Sequence, residues 1–225
     1  MAVPAVLPTA QGAHVKLDVV QEFVAASADA SSMADLRALV ADACSELGFD
    51  YFPIDHHIRF GRPTHDKVRL TNYPADWIAV LRQEEGVSDP VLRAAERTSS
   101  GFTWSQVDRL VRVTEKDRQR FRRAAAHGLV QGFTVPNHVP GETFGSCHFV
   151  VNGENDLPKE SLPAAQALGA FAFEAARQML QSQAEPSERY LAPVPLTDRQ
   201  RDCVMFAARG KSDSVIAQLL DIRPR

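Results

Sequence analysis

Cysteine is scarce in this chain. Three occur in 225 residues, Cys44, Cys147 and Cys203, with no C-x-x-C pair. An odd, scattered set excludes a disulfide framework and a zinc ribbon and fits a reducing compartment, so a cytoplasmic protein is expected. Long apolar runs are missing too: none approaches the roughly 18 residues of a membrane span, so no membrane partner is expected. Met1 to Gly12 has no basic segment ahead of an apolar core, and no secretory leader is expected there. Neither sign of charge dominates. Lys and Arg number 25 against 28 Asp and Glu, a net charge of −3, which gives no overall basic footprint for nucleic acid. Catalytic signatures are absent as well: no G-x-S-x-G elbow, no P-loop and no H-E-x-x-H. Seven histidines do not supply a metal site. His56 and His57 are neighbours on an expected strand and so point to opposite faces, as do Cys147 and His148. The expectation is a protein with no catalytic residue, no metal and no cofactor.

What is present is the pattern of a soluble globular chain of one or two domains, 44% hydrophobic and 24% charged. A helix is predicted over residues 15–28, with Leu17, Val20 and Val24 on one face and Phe23 beside them. Ser32 and Asp35 have capping-box spacing ahead of a helix that ends at Gly48, and Thr114 with Asp117 repeats the pattern ahead of a helix ending at Gly128. Short helices are predicted over 75–83 and 90–97, and a long Ala-rich one over 158–181. Strands are predicted over 49–60, 68–73, 129–135 and 144–151, with Gly61, Pro63 and Gly141 in connecting loops. Helices, then strands, then helices give an α+β fold, an α/β/α sandwich around an antiparallel sheet. It occupies residues 13–181. Residues 182–195, polar and proline-containing, form a linker to a third segment, 196–225.

That last segment begins Leu196-Thr197-Asp198-Arg199-Gln200, continues through Ala208-Arg209-Gly210-Lys211-Ser212, and ends with Ile216-Ala217-Gln218-Leu219-Leu220. Thr197 and Gln200 form a capping box. Gly210 suits the left-handed position that closes a helix, and Ser212 can cap the next one, with Val215, Ile216, Leu219 and Leu220 on its buried side. Geometry alone allows an ordinary helical hairpin. The residue identities go further: the segment resembles the start of the helix-turn-helix domain of LuxR/FixJ-class bacterial regulators. Gln200, Val204 and Arg223 depart from the Glu, Leu and Ser usual in that class. Arg199, Lys211, Arg223 and Arg225 are the candidate DNA contacts, of the phosphate-positioning kind. The segment stops at Arg225, ahead of the recognition helix that reads bases in such motifs, so DNA is expected as a partner of a full-length form only.

A second pattern runs through the larger domain. Asn72-Tyr73-Pro74-Ala75-Asp76-Trp77 is followed by Asp89-Pro90-Val91, Phe102-Thr103-Trp104 and Gly128-Leu129-Val130-Gln131-Gly132-Phe133. In order and spacing this resembles the autoinducer-binding domain of LuxR-type quorum-sensing regulators. The resemblance implies an acyl-homoserine lactone or related autoinducer as ligand. It implies that Trp77 donates to the lactone carbonyl, Asp89 accepts the amide N–H, Tyr73 donates to the acyl carbonyl and Trp104 forms a wall. Leu81, Gly132, Ser146 and His148 complete the candidate site. Leu81 stands where relatives often have Tyr, and His148 where they often have Ser or Thr; an alternative alignment gives that role to Ser146. The Trp77–Asp89 interval is one residue shorter than usual. Each residue also has a plainer account, the aromatics as core and Asp89 as a helix cap. Together they point to a ligand-responsive transcription regulator that acts as a homodimer, the long Ala-rich helix contributing to the interface. The alternatives are a naturally short form that inhibits by inactive heterodimers, or an enzyme that degrades the same signal. The last needs a nucleophile or metal cluster.

Overall fold

Alternation along two paired strands organises the larger part of the molecule. A computed structural model describes residues 11–57, 68–84, 88–139, 144–153, 155–183 and 196–222. Strands β4 (Leu129–Asn137) and β5 (Gly145–Asn152) run antiparallel, with Phe133 opposite Phe149 and Thr134 opposite His148. Successive side chains on a strand face opposite ways. Phe133, Val135, Cys147, Phe149 and Val151 therefore enter the main core, while Gly132, Thr134, Ser146, His148 and Val150 face the other layer. Strands β1 (Pro53–His56), β2 (Arg69–Thr71) and β3 (Phe102–Thr103) complete a five-stranded sheet in the order β2-β1-β5-β4-β3, antiparallel throughout. The fold is α+β with an antiparallel sheet, as the order of elements predicts.

Three helices cover one face. They are α1 (Gln11–Ser27), α2 (Met33–Glu46) and α7 (Leu162–Gln183). Their buried residues include Val20, Phe23, Leu36, Val40, Leu168 and Phe173. The opposite face carries α3 (Ala75–Gln83), α4 (Pro90–Ala95), α5 (Val107–Leu110) and α6 (Glu115–Ala126). Local grammar sets several of these starts. Ser32 Oγ accepts from Asp35 N at 3.1 Å, and Thr114 and Asp117 satisfy each other's backbone N–H groups.

Several expectations need correction. The buried face of α1 is Val19, Val20 and Phe23; Leu17 is 44% exposed, because the helix lies against α2 and α7 about one residue around from the predicted stripe. The strand predicted over 49–60 is only four residues long, Pro53–His56, preceded by a single bridge from Tyr51 to Val150. Residues 58–60, Gly61, Pro63 and Gly141 lie outside the described residues. The two-residue β3 went unpredicted, since two residues carry no periodicity. In α7, Ala164, Ala165, Ala172, Leu168 and Phe173 are buried within their own domain, with Met179 and Leu180 partly covered there. Phe171, on the same helix, stands half-exposed.

The chain divides into two compact units, Met1–Ala184 and Glu185–Arg225. In the second, α8 (Asp198–Ala208) starts at the Thr197–Gln200 capping box and ends before Gly210, whose φ of +73° is the left-handed value glycine tolerates. Helix α9 (Asp213–Leu220) follows. Ser212 occupies its N-cap position, but its hydroxyl pairs with Ser214 Oγ at 3.0 Å instead of a backbone N–H. Ile216 and Ala217 are buried, whereas Val215 and Leu219 are exposed.

Candidate ligand pocket

A cavity of about 260 Å³ opens between the β1–β2–β5 part of the sheet and helices α3, α4 and α6. Six of the eight candidate residues line it: Tyr73, Trp77, Leu81, Asp89, Trp104 and His148. Gly132 and Ser146 do not. Gly132 lies beneath the Trp104 ring, where a Cβ would stand 2.6 Å from Trp104 Cε2, so only glycine lets that ring lie flat on β4. Ser146 is fully buried behind His148.

Two of the lining residues hold unused donors. Trp77 is buried on α3 with its ring 5.3 Å from the His127 ring, and its indole N–H meets no acceptor among the described residues. Tyr73 precedes α3 and packs 6.0 Å from the Tyr51 ring. Its hydroxyl also has no hydrogen-bond partner among the described residues, and burial holds it well above the usual phenol pKa. Both residues line the cavity, where a small-molecule site needs a few polar groups to orient its ligand. Both groups are therefore suited to a polar ligand.

Asp89 is already occupied. Its Oδ1 accepts from Val91 N at 2.8 Å, capping α4 ahead of Pro90, and its Oδ2 accepts from Arg120 Nε at 3.1 Å and Nη2 at 2.9 Å. Arg120 also pairs with Glu84, which pairs in turn with Arg123. Within the Arg-rich stretch 109–123, Arg120 is set apart by its burial. Arg120 is only 13% exposed and clamps α3, α4 and α6 together around the cavity; Arg109, Arg112, Arg118, Arg122 and Arg123 are exposed. A carboxylate oxygen has two lone pairs, so Asp89 retains acceptor capacity toward a ligand.

Sequence reasoning missed a buried polar chain along the sheet. Trp104 Nε1 donates to Thr134 Oγ1 at 3.1 Å, Thr134 meets His148 Nδ1 at 2.9 Å, His148 Nε2 meets Ser146 Oγ at 2.8 Å, and Ser146 meets His57 Nε2 at 2.6 Å. Its direction follows by elimination. Indole only donates, so the buried Thr134 hydroxyl must donate onward to His148 Nδ1. Burial lowers the His148 pKa to about 4, and burial with the neighbouring His148, His56 and Arg69 lowers that of His57 to about 3. Both rings are neutral at neutral pH. His148 then donates from Nε2 to Ser146, and Ser146 donates to His57 Nε2, leaving the His57 proton on Nδ1. His148 has no nitrogen left to donate to a ligand. It lines the cavity, but the donor at the end of the chain is His57. No local motif marks Thr134 or His57; strand alternation from Ser146 and His148 was the available signal.

In the C-terminal unit, Arg199 and Lys211 are exposed, and Arg223 and Arg225 lie outside the described residues. No group of three or more His, Cys, Asp or Glu is placed to hold a metal among the described residues. No helix there is long and apolar enough to cross a membrane.

Comparison with known proteins agrees with this geometry. The sequence profile of the autoinducer binding domain matches residues 32–178. The chain belongs to that family, the LuxR-type quorum-sensing regulators. It is 28% identical over 187 residues to the transcriptional activator BjaR1 of Bradyrhizobium diazoefficiens, covering 80% of this chain and 74% of that protein. It is 30% identical over 181 residues to the quorum sensing-dependent transcriptional regulator RpaR of Rhodopseudomonas palustris, covering 75% of this chain and 69% of that one. Among solved structures, Escherichia coli SdiA superposes with a TM-score of 0.58 at 20% identity, covering 92% of this chain and 84% of that one. CepR2 of Burkholderia cenocepacia superposes at 0.56 and 18% identity, covering 75% and 97%. These likenesses establish the shared fold.

Proposed function

We propose that this chain is a ligand-responsive transcription regulator of quorum sensing that holds an acyl-homoserine lactone in the cavity beside Trp77. The Trp77 indole N–H donates to the lactone carbonyl, and the Tyr73 hydroxyl donates to the acyl carbonyl. Asp89, held by Arg120, accepts the amide N–H. Trp104, seated on Gly132, walls the lactone ring, and Leu81 supplies apolar contact one turn beyond Trp77. Ser146 and His148 support that wall through Thr134. The observation that carries the reading is the pair of unpartnered donors on Tyr73 and Trp77 in one cavity with Asp89. It is supported by CepR2, which shares the fold and is described as N-acylhomoserine lactone dependent.

Regulation follows from linkage. A ligand that binds only the folded form stabilises it by mass action. In this reading the protein is cytoplasmic and homodimeric, residues 13–181 sense the ligand, residues 182–195 link, and residues 196–225 belong to a DNA-binding domain in which Arg199 and Lys211 contact phosphate. Mass spectrometry of small molecules extracted from chain produced in the presence of mixed acyl-homoserine lactones tests the ligand class. A retained lactone at near-equimolar amount is the expected result; a retained compound without a lactone ring would refute the assignment.

A further inference from the structure

The Asp55–His57 side of the cavity is polar where a plain alkyl tail would want carbon. On the sheet, Asp55 lies opposite Arg69 on one side and Ser146 on the other. Arg69 Nε donates to Asp55 Oδ1 at 3.2 Å, and Asp55 Oδ2 has no hydrogen-bond partner among the described residues. His57, on the same face as Asp55, accepts from Ser146 at Nε2 and keeps its proton on Nδ1, where no described residue accepts it. Asp55, His57 and Arg69 line the same cavity as Tyr73, Trp77 and Asp89. Tyr73 lies close enough to both Asp55 and Asp89 to feel their charges. One end thus offers an unused acceptor beside an unused donor.

We propose that the acyl group of the ligand ends in a hydroxyl, whose hydrogen goes to Asp55 and whose oxygen accepts from His57 Nδ1. This rests on the lactone orientation given above. A hydroxyl is one donor and two acceptor sites on a single atom, which matches what the pair presents. A methyl terminus there would strip water from a carboxylate and an imidazole N–H and return nothing, which is costly for polar groups. Asp55 is partly covered: its side chain is 29% exposed, against 69% for Arg69, and burial raises its carboxyl pKa against the opposing pull of Arg69. The cavity volume of about 260 Å³ lies just below the roughly 300–1,000 Å³ usual for small-molecule sites, which favours a compact acyl group.

Calorimetry on the full 225-residue chain tests this with four probes: N-hexanoyl-, N-(6-hydroxyhexanoyl)-, N-octanoyl- and N-(8-hydroxyoctanoyl)-L-homoserine lactone. At the length that reaches Asp55, the hydroxylated probe binds about tenfold tighter than its plain partner, or about 1.4 kcal/mol. Asp55→Asn and His57→Gln each reduce that ratio to about threefold or less, each scored only as folded protein with a cooperative melt, so that either can carry the test. Plain probes binding as well as or better than hydroxylated ones at both lengths would overturn the proposal while leaving the lactone reading intact. A preference that survives in both variants would overturn its assignment to Asp55 and His57. Failure of all four probes to bind would overturn the lactone reading, and this proposal with it.

Discussion

Replacing Asp89 by Asn separates three roles that meet in one carboxylate. Asn caps helices about as well as Asp, so the Val91 N–H bond at the start of α4 survives. The charge does not. Arg120, 13% exposed, loses one of its two acidic partners and keeps Glu84. Breaking a buried pair outright costs about 3–5 kcal/mol, but the retained Glu84 and the Asn side-chain carbonyl offset most of that, leaving about 1–2 kcal/mol. For a domain of this size the melting temperature of the ligand-free chain falls by about 2–8 °C. Ligand affinity falls further, by about 1.5–3 kcal/mol, because the acceptor of the amide N–H is no longer charged. Urea unfolding of the free chain and calorimetry with N-hexanoyl-homoserine lactone read the two effects separately. From sequence alone the substitution looks harmless to the free protein. A stability unchanged within error would show that Arg120 does not lean on Asp89 in solution. Unchanged affinity would leave Asp89 as a cap and a clamp, with no ligand role.

Two further outcomes follow from the geometry. Gly132→Ala pushes a methyl group into the Trp104 ring, so the chain loses about 1–3 kcal/mol of stability and ligand affinity drops with it; unaltered affinity in the folded variant would sever the ring from the pocket. His57 and His148 have folded pKa values, about 3 and about 4, below the unfolded value near 6.5. The stability they contribute is complete above the unfolded value and is lost as pH falls toward the folded ones, at up to about 1.4 kcal/mol per pH unit for each ring. His148→Gln should flatten the slope of unfolding free energy between pH 6.5 and 4; an equal slope in wild type and variant would mean that His148 takes up its proton normally.

The legible part of this molecule was its local grammar. The capping boxes at Thr114 and Thr197, the caps at Ser32 and Asp89 and the left-handed Gly210 are written within four residues, and the structure carries each of them. The box expected at Ser32 is half-formed, because the Asp35 carboxylate accepts from Ser31 and not from Ser32 N. Alternation placed Ser146 and His148 on one face correctly, because the strand period is two. What escaped was whatever depended on distant elements. Arg120 reads as one more cation in a charged helix until α6 packs beside Glu84 and Asp89, 36 and 31 residues away. His57 reaches Ser146 across 89 residues, and Trp104 reaches Thr134 across 30. The same gap explains α7. Its buried residues pack against α1, α2 and the sheet, contacts with no local signature.

The central claim is that the indole of Trp77 is a ligand donor and not simply core. Trp77→Phe keeps most of the buried ring and removes only the N–H. Calorimetry of N-hexanoyl-homoserine lactone on the wild-type chain and on Trp77→Phe reads this directly. The account predicts saturable binding to the wild type, weakened about tenfold in the variant, as expected for one lost hydrogen bond that leaves a buried carbonyl unpaired. Equal affinity in the two proteins, or no binding to either at millimolar ligand, would contradict it.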